Sequence, residues 1–524
     1  MTMLLALFVL TITTLILGGT YMAVLNDTHL SRNDVDQKRA YAAAQAGIQA
    51  YNYQLNQNEN FWQTCQTLPN AAAPAVTTVP GSTDVGGGFE TYRVTPMVAS
   101  TAPSNDNQCD TTNALATMIE GSQSGTAAGS FRVKSTGTSG NVSRTIIAQY
   151  KPPSFLNFVY YTDYETADPA TLPNDPNDCA RHYSDSPGRG SNCGGPINFI
   201  TGDSINGPLH SEDTLSICGS PVFGRSIADS IQAPAYTSET GGSGCPNSPS
   251  MVGTYNAHAT SITPPPDNSQ LLTVVQSAYH FVGKTTIVLN GNTMNVTNAA
   301  AGDNNTLVQW PTNGVIYVST ALAGCGVVYT PFNPSYTADT NCGNVYVSGN
   351  YTSSLTIASD NDVIIDGSIT TTVNGSGVPT TNALLGLIAN DFVRIYHPVD
   401  GTRGTTNGDC NGSGQTNVTN DSASLYNPKI YAAILAVNHS FTVDNYDCGG
   451  ESPALGQLYV YGAIAQLFRG PVGTGGSGGA SNGYTKSYNY DDRLASEEPP
   501  YFLNPVSAQW FVSRETECDS ASTC

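Results

Sequence analysis

Three carboxylates are the strongest candidates for chemistry in this sequence. Asp362, Asp366 and Asp391 lie in or beside the apolar runs Asp362 to Ile369 and Leu384 to Tyr396. Two carboxylates flanking a glycosidic bond can share acid and base work, so a strand face bearing such a pair would suit a polysaccharide-active enzyme. The local sequence points elsewhere. Asp366 stands in Ile-Ile-Asp-Gly and Asp391 follows Asn390, and both read as turns. The seven histidines (29, 182, 210, 258, 280, 397 and 439) are scattered, whereas a metal site needs clustered ligands. His210, Glu212 and Asp213 form the one dense group, which reads as a turn. The Asp-rich turns Asn174 to Asp178 and Tyr490 to Asp492 offer oxygen ligands to Ca²⁺ without EF-hand spacing. Gly470 to Gly483 lacks the Lys-Ser/Thr of a phosphate loop and reads as a flexible surface loop. The expectation is a chain with no catalytic, cofactor-binding or metal-ligating residues, Ca²⁺ being the one ion its turns leave open.

Twelve cysteines fall in neighbouring pairs: Cys65 and Cys109, Cys179 and Cys193, Cys218 and Cys245, Cys325 and Cys342, Cys410 and Cys448, Cys518 and Cys524. This pairing is the simplest of many. An even count in a Gly- and Asn-rich chain points to an oxidising compartment. Nineteen basic residues face 40 acidic ones, for a net charge of −21, and no basic cluster interrupts the chain. That balance argues against nucleic-acid binding by bulk charge. Twenty-eight tyrosines against three tryptophans suit half-buried strand packing, or stacking surfaces for sugars and neighbouring subunits.

The elements that carry these residues begin with an oily rod. Leu4 to Leu25 contains no charge, and a helical pattern continues to about Leu55. Twenty-two helical residues span roughly 33 Å, enough for a hydrocarbon core of about 30 Å. The apolar side chains Leu4, Leu5, Leu7, Phe8, Leu10, Ile12, Leu15 and Ile16 precede Gly18 and Gly19, each of which costs a helix about 1 kcal/mol relative to Ala. The pair is a flexible spot, a close-packing site, or a segment that unwinds when the helix leaves lipid. Ala40, Ala43, Ala44, Ala46, Gly47 and Ala50 make a thin helix face, for packing on the chain's own head or for close helix approach in a polymer. No Lys or Arg precedes the rod; the first are Arg32, Lys38 and Arg39. Positive-inside logic would place the rest in the cytoplasm, against the cysteines. The two agree if a short basic leader is removed before Met1.

The stretch MTMLLALFVLTITTLILGGTYMAVLNDTHLSRNDVDQKRAYAAAQAGIQAYNYQL resembles the mature N-terminus of type IV pilin-like proteins, closest to the PilX-like class, including the Ala-rich run Ala40 to Ala50. The resemblance covers about a tenth of the chain. It implies cleavage by a prepilin peptidase before Met1, methylation of that amine, and assembly with other pilin-like subunits by the pilus machinery. Pilins usually carry Glu at the fifth mature position; this chain has Leu5, which resembles tip-type or minor pilins.

Past the helix, residues 56–86 read as irregular. Phe89 to Val94, Phe131 to Ser135 and Arg144 to Tyr150 read as strands, the last two as a hairpin around Gly137 to Asn141. Lys151-Pro152-Pro153 makes a boundary. Beyond it short β-rich runs recur: Pro196 to Ile200, Thr214 to Cys218, Thr285 to Leu289, Gly314 to Val318, Asn344 to Ser348, Ser354 to Ala358, Asp362 to Ile369, Leu384 to Tyr396, Lys429 to Asp444 and Gln457 to Phe468. The expected fold class is α+β: a helix over 1–55, a small antiparallel pilin-like domain over 56–153, and a large mostly-β head over 154–524. Near-continuous apolar runs favour a parallel β-helix for the head, with a jelly roll or paired sandwiches as the alternative. The expected function is a structural subunit of an extracellular filament. It would self-associate through its helix, wait in the cytoplasmic membrane before assembly, and show its disulfide-bonded head to glycans or cell surfaces. A minor tip adhesin and a membrane-anchored polysaccharide enzyme are the alternatives.

Overall fold

The computed structural model describes residues 2–68, 77–78, 90–99, 109–112, 114–120, 130–151, 154–171, 180–189, 197–238, 245–259, 261–332, 334–402, 416–448, 455–495, 497–506 and 510–518. The chain divides into two compact units: Met1–Ile119, Ser130–Lys151 and Gln509–Cys524 form one, and Glu120–Gly129 with Pro152–Ala508 form the other.

In the first unit one helix runs from Thr2 to Gln57. Its C-terminal half lies on an antiparallel sheet of β1 (Thr77–Thr78), β2 (Thr91–Pro96), β3 (Phe131–Ser139), β4 (Val142–Lys151) and a final strand, Phe511–Cys518, in that order. β3 alternates buried and half-buried residues along its whole length, the period-2 signature of a sheet with one covered face. Its hairpin with β4 turns at Gly140-Asn141, since Ser139 pairs with Val142. Gly137 is therefore not in the turn. It pairs with Arg144 beneath the helix, where a Cβ would come 2.9 Å from the carbonyl carbon of Ala43 and closer still to Ala40 O and Ala44 N. The stripe Ala40, Ala43, Ala44, Ile48, Tyr51 and Leu55 is buried at helical spacing. Ser135 Oγ donates to Ala44 O at 2.7 Å, and Tyr150 OH donates to Ile48 O at 3.0 Å. Phe131 stacks on Tyr150 and meets Trp510 edge-on, 4.8 Å between ring centres. Residues 510–518, expected in the head, thus belong with the first unit: their strand hydrogen-bonds to β4, and Trp510 joins its aromatic core.

The second unit is mostly β, and its sheets are mixed. One parallel ladder stacks His280–Val282, Val315–Ser319, Leu355–Ser359, Leu385–Ala389, Lys429–Ala436 and Gly456–Arg469. Gly456–Arg469 then pairs in parallel with Tyr160–Ala167, and the ladder continues through Leu209–Ser211, Ser230–Gln232 and Thr254–Asn256. A flanking ladder stacks Thr285–Gly291, Val345–Tyr351, Val363–Thr370, Val393–Ile395 and Phe441–Val443. Antiparallel pairing enters in Thr285–Gly291, Thr293–Asn298 and Asp303–Gln309, and in the hairpin Gly473–Gly476 with Gly479–Tyr490.

Register makes the core. Ile316, Ile357, Leu387, Ile434, Ile464, Tyr160, Leu209 and Ile231 face one another across successive strands. Ile287, Val347, Ile365, Ile395 and Val443 do the same in the flanking ladder, and all are buried. The ladder order is not chain order: the strand beginning at Tyr160 sits in the middle. Residues 261–279 bridge the two runs, with Tyr161 OH bonded to Ile262 O, Asn268 Nδ2 to Ser359 O, and Asn313 Nδ2 to Val274 O.

Several expectations change. Leu384 to Tyr396 and Lys429 to Asp444 each divide into two strands, because Asn390-Asp391-Phe392 and residues 437–440 turn the chain from one ladder to the other. Asp366-Gly367 is strand, not turn; it lies inside Val363–Thr370, beside a register shift. Gly470 to Gly483 is largely hairpin instead of loose loop.

Candidate functional site

The most distinctive surface is the first half of the helix. Thr2–Met22 is long and apolar enough to cross a membrane, with mean hydropathy 2.2, and no part of it is buried. Leu4 and Leu5 are 81% and 71% exposed, and Leu7, Phe8, Leu10, Ile12, Leu15 and Ile16 are exposed with them. Gly18 and Gly19 have no non-local heavy atom within 4 Å of a built Cβ. The hydroxyls of Thr11, Thr13, Thr14 and Thr20 fold back onto carbonyls three and four residues earlier. Those four hydroxyls therefore bring no free donor to a greasy neighbour. Covering the eight large side chains would be worth about 12–24 kcal/mol at about 1.5–3 kcal/mol each. Met1 lies outside the described residues.

The Ala-rich face is spoken for. Ala40, Ala43 and Ala44 are fully buried on the sheet of their own unit, and a Cβ on Gly47 would strike Ser135 Oγ and come 3.0 Å from Tyr92 and Val94. Ala46 and Ala50 are half-buried. The close-packing signal in this stretch therefore describes an intramolecular contact.

Among the described cysteines none is free. Cys65–Cys109, Cys218–Cys245 and Cys325–Cys342 are bonded as neighbours, and Cys448 and Cys518 are also disulfide-bonded. Cys179, Cys193, Cys410 and Cys524 lie outside the described residues, as does Asn174 to Asp178.

The candidate carboxylates have structural partners. Asp362 is buried and sits 3.0 Å from Arg394, which also holds Asp444 at 3.0 Å. Burial pushes Asp362 up to about 6 against the pull of Arg394. Asp366 is half-buried and raised by desolvation. Asp391 occupies a turn, 3.9 Å from His439, whose Nδ1 is 3.0 Å from the buried Asp168. His210 is not in a turn: it is buried in the strand Leu209–Ser211, between Gln232 at 2.7 Å and Glu212 at 2.8 Å. Asp213 accepts from Ser184 N and Glu165 N and pairs with Arg189. In the other acidic turn, Asp491 pairs with Arg493 and Asp492 with Arg225. Sequence reasoning missed the buried pairs Arg469–Glu165 and Lys486–Asp203, both at 2.7 Å. A visible signal existed: Arg394 and Arg469 each lie in or end an otherwise apolar strand run.

No family model matches the chain, and no curated protein matches it. Among solved structures the chain is similar to the competence-associated pilin ComZ from Thermus thermophilus, with 13% identity over 92% of this chain and 97% of that one, at a TM-score of 0.29. Neither value ties a residue of this chain to a role.

Proposed function

We propose that this chain is a structural subunit of a type IV pilus-like filament, of the PilX-like class. The observation that carries the reading is the fully exposed apolar half of a helix whose other half is locked to its own sheet. A rigid, uncharged rod projecting from a folded unit needs lipid or kindred rods around it. It waits in the cytoplasmic membrane and then packs with other such helices, assembled by pilus machinery after processing and methylation at Met1. The large β unit, with its stacked parallel ladders taken as coils of a β-helix, stands outside and contacts glycans, cell surfaces or neighbouring heads. Leu5 in place of the usual Glu favours a minor or tip position, since no carboxylate is available there for a neighbour's amine. The chain is read as non-enzymatic and without a cofactor; Asp362 is held by Arg394, which leaves it poorly placed to move protons.

Sheared surface filaments, imaged by cryo-electron microscopy and quantified by mass spectrometry, test the reading. Incorporation in filaments, abundant or in trace, supports it and separates main from tip subunit. A protein found solely as a lipid-embedded monomer overturns it. Leu10→Lys should abolish incorporation while leaving the β unit folded. Turnover of cell-wall or capsule polysaccharides by the purified chain would instead establish the enzyme reading.

A further inference from the structure

Lys284 and Asn344 stand side by side at the start of two neighbouring strands. Thr285–Gly291 and Val345–Tyr351 pair in parallel with Thr285 opposite Val345, and Thr285 N donates to Asn344 O at 2.9 Å. The residues just before these partners share one carboxylate. Asp339, 1% exposed, takes Lys284 Nζ on Oδ1 at 3.0 Å and Asn344 Nδ2 on Oδ2 at 3.0 Å. Tyr346 OH also donates to Oδ2 at 2.8 Å, and its ring lies 4.3 Å from Lys284 Nζ. On the other side of the Asn344 amide, Oδ1 accepts from Asn361 Nδ2 and from Asp362 N, the latter at 3.2 Å. An amine, an amide whose carbonyl oxygen is held by two donors, and a buried carboxylate touching both nitrogens are the components of an acyl transfer.

We propose that Lys284 and Asn344 are joined by an intramolecular isopeptide bond whose formation Asp339 promotes. The ammonium of Lys284 gives one proton to Asp339, and the neutral amine attacks Asn344 Cγ. The developing oxyanion on Oδ1 is met by Asn361 Nδ2 and Asp362 N. Asp339 returns its proton to Nδ2, the Cγ–Nδ2 bond breaks, and ammonia departs. The attacking nitrogen passes its second proton, through Asp339, to the departing ammonia, which leaves as ammonium, and becomes the amide N–H. One C–N bond forms and one breaks, with no change in oxidation state and no co-reactant. Burial alone would raise Asp339, but the hydrogen bonds from Asn344, Lys284 and Tyr346 outweigh it and hold the carboxyl below its usual range, so it stays ionised beside the ammonium.

The bond would tie Thr285–Gly291, the end strand of the flanking ladder, to the strand beneath it. It would close a loop that already contains the Cys325–Cys342 disulfide. The inference rests on the β unit alone and stands or falls independently of the filament reading.

The test is peptide mapping of the purified, fully folded chain by mass spectrometry after reduction. The expected result is a branched peptide linking the Lys284 and Asn344 segments, lighter by one ammonia than the two separate peptides, with no tryptic cleavage after Lys284. Lys284→Arg and Asp339→Ala should each yield separate peptides of full mass. Recovery of unlinked, full-mass Lys284 and Asn344 peptides from the natural sequence after prolonged incubation of the folded protein would overturn the proposal. So would an ammonia loss confined to an Asn-Gly succinimide such as Asn482-Gly483. The wild-type measurement decides the matter even if a variant fails to fold.

Discussion

Gly137→Ala should undock the helix from its sheet. The added Cβ would meet Ala40 O, Ala44 N and the carbonyl carbon of Ala43, all helix backbone, so no side-chain rotation relieves it. Ordinary contact requires the helix to retreat by on the order of 1 Å, and overpacking of this kind costs about 1–3 kcal/mol. The retreat also strains the buried bond from Ser135 Oγ to Ala44 O, 2.7 Å long, worth about 1 kcal/mol. Together the loss is about 2–4 kcal/mol, enough to lower the melting temperature of this unit by roughly 10 °C. The unit carries its own reporters. Trp62 and Trp510 belong to it and lie 5.8 Å apart, whereas Trp310 is in the β unit. In a Trp310→Phe background, tryptophan fluorescence excited at the red edge, where tyrosine does not absorb, therefore follows the helix–sheet unit alone. Gly18→Ala is the control: with open space around it, it should leave that signal unchanged. A Gly137→Ala protein that melts within a degree of its parent would refute the docking of Ala40, Ala43 and Ala44 on β3.

Asp444→Asn removes one of two carboxylates from the fully buried Arg394 and should cost about 3–5 kcal/mol in denaturant titrations of the β unit; an unchanged midpoint would show that Asp362 alone suffices. His439 should make stability pH-dependent. Burial lowers it, but the hydrogen bond and charge of Asp168, with Asp391 and Asp362, raise it overall. The Asp168–His439 contact is then fully stabilising below about pH 6.5, the unfolded value, and is lost as pH rises through the higher folded value. His439→Gln should flatten that slope, and a slope that persists assigns it to another group. Non-reducing peptide mapping should recover Cys65–Cys109, Cys218–Cys245 and Cys325–Cys342. Their sequence separations of 44, 27 and 17 residues predict about 3–4 kcal/mol of stabilisation apiece.

Much of the β unit was legible as strands because Thr-, Ile- and Leu-containing runs such as Thr285 to Leu289 and Ser354 to Ala358 are short and bounded by turn residues. Their breaks were harder to see. In Leu384 to Tyr396 the corner falls at Asn390-Asp391, a pair already read as a turn, but Phe392 after it is as apolar as its strand neighbours, which makes the run look continuous. Asp366-Gly367 misled in the opposite sense: a dipeptide that commonly turns lies inside a strand, in the register shift between the Val347–Ile365 and Gly349–Ile369 pairs. The candidate polar sites were hardest, since a buried carboxylate and its cation come from distant strands, as with Glu165 and Arg469.

By itself the sequence determined the oily uncharged rod, the small-residue stripe that follows it and the strand-forming character of the rest. These are properties of period, composition and short separation, and they need no knowledge of what lies across the fold. Tertiary structure alone decided that the small-residue stripe is consumed by β3, that residues 511–518 return to β4, that the strand at Tyr160 sits beside Gly456–Arg469, and that Lys284, Asp339 and Asn344 converge. Each of these depends on which strand edges meet, and hydrogen bonding between backbones is nearly blind to the side chains that sequence patterns report.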